Sequence, residues 1–154
     1  MNSPDERGMP HLWAHIQEGV LACAGALLED EALGAAATRS AERVLAPAVR
    51  DSFDRSSTTP YDVSSAIFSL DRLADTDPDG PWAGLASDAR DWFHGRNAAG
   101  RPVYDATTGK VADGIDEGRV SGNSGAEANA EAAAALLDEA IRVARAMPEN
   151  AIPT

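Results

Sequence analysis

A single cysteine stands in this 154-residue chain, so no disulfide can form within it. Cys23 lies in the apolar run from Val20 to Leu28, where a buried, inert thiol is expected rather than a nucleophile. Aromatic residues make up only 5% of the chain. The core must therefore rest on a minority of large side chains, with Trp13, Phe68, Trp82, Trp92 and Phe93 the candidates. Positive charge is also scarce: 13 Lys and Arg face 25 Asp and Glu, for a formal net charge of −12. With the basic residues scattered among acids there is no stripe for a phosphate backbone, which argues against nucleic acid as a partner. The same charge opposes an anionic membrane, and no apolar run approaches the roughly 20 residues of a span. The first dozen residues lack the basic-then-apolar layout of a secretory leader, so cytoplasmic residence is the default expectation. Phosphate-binding glycine loops, a Gly-x-Ser-x-Gly elbow and Cys/His metal spacing are all missing, and no cofactor is implied.

What remains is helix. Hydrophobic residues are 44% of the chain, much of that alanine, enough for one domain with a core of its own. Residues 1–9 and 148–154 read as flexible ends around a single helical domain, 10–147. From Pro10 to about Glu29, Leu12, Trp13, Ile16, Val20, Cys23, Ala24 and Leu27 recur at three- and four-residue steps, which predicts a helix with that stripe inward. His11, His15 and Glu18 share another side; the spacing could hold a metal, and a solvated polar edge is the simpler reading. A second helix runs from Asp30 to about Phe53, inner stripe Leu33, Ala36, Ala37, Ala41, Val44, Leu45, Ala48 and Val49, kinked or broken by Pro47. These two should form an antiparallel hairpin. Thr59-Pro60-Tyr61-Asp62 opens a third helix: an N-cap, a proline at the first helical position, and an acid at the positive end of the dipole. Its core set is Val63, Ala66, Ile67, Leu70 and Leu73. A fourth, from Pro81 to Gly95, turns Trp82, Leu85, Ala86, Ala89, Trp92 and Phe93 inward. A fifth starts at Ser124, where Ser124-Gly-Ala-Glu127 has capping-box spacing. It continues through Ala132, Ala135, Leu136, Leu137, Ile141 and Val143.

The polar chemistry is gathered between Trp92 and Glu131, around a loop of roughly thirty residues, and loops of that length in a compact domain are usually functional or disordered. This one carries its own turn signals. Val103-Tyr104 and Lys110-Val111 flank Asp105-Ala-Thr-Thr-Gly109, which predicts a small β-hairpin lying on the helices.

Several short stretches stand here in a definite order: Tyr61-Asp62 at a helix start, Trp92-Phe93 before Gly95-Arg96-Asn97, Tyr104-Asp105 before Thr108-Gly109, Asp113-Gly114, and Asn123-Ser124-Gly125-Ala126-Glu127. Over roughly residues 60–135 the chain resembles the C-terminal half of six-hairpin (α/α)-toroid proteins, which include glycoside hydrolases and glycosyltransferase-associated toroids. The resemblance implies an all-α fold of antiparallel helical hairpins, a partial toroid of about five helices with one small β-hairpin in its long loop. The rim would form a cleft for a sugar or another polyhydroxylated or cyclic ligand. Ala128-Asn129 departs from the Ser-Thr pair common after the Gly-Ala-Glu run. A half ring leaves lateral apolar surface uncovered, and large patches of that kind mark interfaces. A homodimer, or a second toroid-half subunit, is the partner expected.

Glycoside cleavage needs one protonated and one ionised carboxyl, about 5–10 Å apart. Asp113, Asp116 and Glu127 are the catalytic candidates, with Asp105 and Glu117 as further loop acids; turn bonding, helix capping or plain solvation are the alternatives for each. Tyr61, His94, Arg96, Asn97, Tyr104 and Asn123 are the ligand-binding candidates. His94 could cap a helix end, Arg96 could pair with Asp113 or Asp116, Asn123 could bridge loop carbonyls, and Trp92 could serve as core or as a sugar platform. Three functions stay open: a ligand-binding partial toroid of carbohydrate or secondary metabolism with glycosidase-like acid/base chemistry, a non-catalytic interaction subunit, and a terpenoid-cyclase-like toroid. The scarcity of aromatics to shield a carbocation weighs against the last.

Overall fold

The computed structural model describes Leu12 and residues 15–146, and of residues 138–146 the backbone alone. His11, Trp13, Ile141 and Val143, with the two ends expected to be flexible, lie outside the described residues or side chains. The fold is mainly helical: α1 (Gln17–Leu28), α2 (Glu31–Arg43), α3 (Leu45–Arg50), α4 (Pro60–Thr76), α5 (Trp82–Arg90) and α6 (Ala126–Ala146). A 3-10 turn, Asp91–His94, extends α5. Among the described residues there are also five two-residue strands: β1 (Ser57–Thr58), β2 (Tyr104–Asp105), β3 (Lys110–Val111), β4 (Ile115–Asp116) and β5 (Arg119–Val120). No described helix is long and apolar enough to cross a membrane.

The second expected helix is in fact two. Proline at 47 has no N–H to give the Arg43 carbonyl and crowds the turn before it. The chain therefore breaks at Val44, φ −117°, and Pro47 sits in the first turn of α3. α4 starts as its sequence requires. Thr59 Oγ1 accepts from the Asp62 N–H, while Asp62 Oδ2 accepts from the Thr59 N–H at 2.8 Å. Its five expected core residues are all buried, as is the whole expected stripe of α5. Trp92 and Phe93 meet edge to face, ring centroids 5.2 Å apart.

α1 lies the other way round from its periodicity. Its buried positions are Glu18, Gly19, Ala22 and Gly25; Ile16, Val20 and Leu27 are 45%, 52% and 84% exposed, and Cys23 is exposed as well. Small residues explain the reversal. A Cβ on Gly25 would come within 2.8 Å of the Gly34 backbone N, and one on Gly19 within 3.0 Å of Phe68 and of the Ser69 Cα. These two glycines let α1 lie closer to α2 and α4 than larger side chains would allow. His15 and Glu18 are consequently buried rather than a solvated edge, and Phe68 is 38% exposed rather than core.

The predicted hairpin is present, with Tyr104 opposite Val111 and Asp105 opposite Lys110. Asp105 takes the turn donors, accepting from Thr107 N at 2.9 Å and Thr108 Oγ1 at 2.7 Å. Those bonds, the Thr108 hydroxyl foremost, hold its carboxyl below the usual range. Unforeseen is a three-stranded antiparallel sheet in the order β1-β4-β5. It ties the segment before α4 to the loop before α6.

Candidate functional site

The sheet is what assembles the site. Ser57 pairs with Asp116 and Thr58 with Ile115, and Ser57 Oγ donates to Asp116 Oδ1 at 2.6 Å. Gly114, at φ +152°, passes so close to β1 that a Cβ would fall 2.5 Å from the Thr58 carbonyl oxygen; only glycine fits. The amino ends of α4 and α6 are thereby set side by side, with a cleft of about 610 Å³ between them. Tyr61, Asp62, Asp113 and Glu127 line it, together with Arg55, Ser57 and Thr59.

Arg55 reaches the cleft by a costly route. Ser52 and Phe53 both adopt left-handed backbone, φ 54° and 53°, a conformation worth of order 1–3 kcal/mol of strain per non-glycine residue. Burial of the Phe53 ring and bonds from Phe53 N to the Ala48 carbonyl (2.8 Å) and from Thr58 Oγ1 to the Phe53 carbonyl (3.0 Å) hold the turn. The arginine that follows is 5% exposed at the cleft wall.

The expected site residues divide. Tyr61, Asp113 and Glu127 share this cleft. Asp113 works there as a cap: Oδ1 accepts the Gly125 N–H at the start of α6, and its own N–H reaches the Asn123 carbonyl at 3.0 Å. The bonds at this helix start differ from the expected Ser124–Glu127 box. Asn129 turns back instead, donating to Ser124 Oγ at 2.9 Å and to the Gly125 carbonyl at 2.7 Å. Glu127 is exposed and makes no hydrogen bond or ion pair among the described residues. Asp116 stands beside the cleft on β4, engaged with Ser57.

The remaining candidates lie apart from the cleft lining. His94 and Tyr104 form an edge-to-face pair, centroids 5.9 Å apart. Arg96 pairs with Asp88, and more distantly with Asp91 at 3.9 Å, rather than with Asp113 or Asp116. Proximity along α5 and its 3-10 extension decides that choice. Asn97 brackets its own turn, donating to the Trp92 and Arg101 carbonyls and accepting from Ala99 N. Asn123 contributes its backbone to the loop. No group of three metal-ligating side chains occurs among the described residues.

No family model matches this chain, and no curated protein matches it.

Arg55 escapes the sequence reading because its neighbourhood reads as a polar loop, and Thr59 is legible there only as a helix cap. The one local signal is the strength of the cap that follows, which marks where a helix must begin and so where its positive end must point.

Proposed function

We propose that this protein binds a small polyhydroxylated or cyclic ligand in the cleft between the amino ends of α4 and α6, within a partial (α/α)-toroid. The observation that carries this reading is the convergence on one cleft of Tyr61, Asp113, Glu127 and buried Arg55. Its volume falls in the range of small-molecule sites, about 300–1,000 Å³. The half-buried Tyr61 ring offers an apolar platform. Glu127 supplies a carboxylate with no partner among the described residues, which can accept hydroxyl donors, and Arg55 supplies a planar cation at the cleft wall. The strained pair Ser52-Phe53 supports the reading, since such backbone concentrates at functional sites.

Binding is favoured over cleavage by how the acids are used. Asp62 and Asp113 both hold backbone donors at helix starts. Glu127 alone among the acids of the cleft lacks a partner among the described residues, and glycoside hydrolysis needs two carboxyls in different protonation states. Tyr61 is the one aromatic residue of the described lining, too few to shelter the carbocation of a terpenoid-cyclase-like reaction.

Titration of the full chain with a panel of monosaccharides, disaccharides and cyclic polyols, read by calorimetry and ligand-observed NMR, tests this. Glu127→Gln and Tyr61→Ala should each weaken a hit about tenfold, a loss of one charged or stacking contact, at unchanged melting temperature. Asp113→Asn should lower stability by about 1 kcal/mol through its helix start. A panel without a saturable hit sinks the proposal.

A further inference from the structure

The outward face of α1 has no place in the ligand reading and does not depend on it. Ile16, Val20, Cys23 and Leu27 repeat at steps of four, three and four, the spacing of a helix seam that packs against another helix. All four are solvent-exposed. Between Ile16 and Leu28 the only charged side chain is Glu18, which is buried on the opposite side. A protein with a net charge of −12 therefore presents, along about 18 Å of helix, a surface with no charge at all.

We infer that this face is an interface between two copies of the chain, α1 against α1, antiparallel about a twofold axis between Val20 and Cys23. Two copies this acidic repel across most of their surface, and like charges brought together cost several kcal/mol. The α1 face is where they can meet without that cost. It is also self-complementary, as a twofold interface must be. Antiparallel pairing sets Val20 opposite Cys23, and Leu27 of one copy opposite Ile16 of the other. Ile16 borders a cleft of about 290 Å³ lined mostly by apolar groups, Ile67 and Phe68 among them, with one carboxylate, Glu131, held by the Ser64 hydroxyl, so the most exposed leucine of each copy arrives at a hollow able to receive it. Phe68, packed on Gly19, widens the contact from one helix to α1 and α4 together, toward the roughly 800 Å² per partner of a standard interface. Attachment to an anionic membrane fails on charge.

Sedimentation velocity of the full chain at micromolar concentration should show a dimer. Val20→Glu/Leu27→Glu should raise its dissociation constant about a hundredfold or more, with the far-UV circular dichroism of the wild type retained because both positions are exposed in the protomer. A short-spacer bismaleimide should join two wild-type copies through Cys23, and the double variant should abolish that product. A wild-type monomer overturns the inference, whether its α1 face is covered by its own chain or is taken up only by lipid vesicles. So does a dimer that ignores the double substitution and leaves Cys23 uncoupled.

Discussion

The carboxylate of Glu18 lies wholly inside the protein, and side chains from two helices meet it there. Ser40 Oγ donates to Oε1 at 2.7 Å, His15 Nδ1 stands 3.1 Å away, and Gln17 Nε2 donates at 3.3 Å. Oε2 has no partner among the described residues. Burial by itself raises the pKa of such a group, but the hydrogen bonds it accepts, those from His15 and Ser40 foremost, together with the His15 charge hold Glu18 below its ordinary value of 4.5. A folded-state value below the unfolded one contributes stability that is full above the ordinary value and is lost as the pH falls through the folded one. Melting temperatures of wild type and Glu18→Gln, followed from neutral pH into the acid range, should therefore converge below about pH 4.5 relative to their separation at pH 7. A constant separation would show that the ionised form brings no advantage. The same residue shows the limit of reading side chains one at a time. A glutamate that follows His15 and Gln17 reads as a polar edge, and only the glycines that draw α1 inward make it core.

Between elements, one polar connection is equally hidden. Arg90 of α5 grips Asp71 of α4, Nη2 to Oδ2 at 2.6 Å, and its Nε donates to the Ala135 carbonyl of α6 at 3.0 Å. Three helices are braced by one guanidinium, and both charged partners are buried. Removing one partner of a buried ion pair costs about 3–5 kcal/mol, whereas replacing both by apolar groups is far milder. Urea unfolding should show Arg90→Met losing stability on that scale and Arg90→Met/Asp71→Leu recovering most of it. Equal losses for single and double variants would mean that the carbonyl contact to α6 carries the effect. Element boundaries were legible where local chemistry sets them. Thr59, Pro60 and Asp62 specify a helix start with no help from the fold, and Gly109 closes the β2–β3 turn at φ 72°. The β1-β4-β5 sheet was not legible, because two-residue strands carry no periodicity and β1 meets its partner across 57 residues or more of chain, Ser57 to Asp116 and Thr58 to Ile115.

For the whole molecule, charge is the governing quantity. Each copy carries a net −12, so a dimer joined across an uncharged face carries a formal net charge of −24, twice the protomer's. Salt shortens the reach of that repulsion, from about 10 Å at 0.1 M to about 3 Å at 1 M. Self-association should accordingly strengthen several-fold between low and high sodium chloride, measured by sedimentation equilibrium. Weakening with salt would point to ion pairs, and to a face other than α1.

The sequence alone determined the helical class, the starts of α2 and α4, the buried stripes of α4 and α5, and the β2–β3 hairpin. Each rests on interactions within a few residues, or on a pattern that one solvent-averse face enforces. Tertiary structure alone decided which side of α1 turns inward. An apolar seam and a glycine-rich side compete for the core there, and the outcome depends on how closely α2 and α4 can approach. It also decided that Arg55, Tyr61, Asp113 and Glu127 share a cleft, since a sheet of two-residue strands brings together segments more than fifty residues apart.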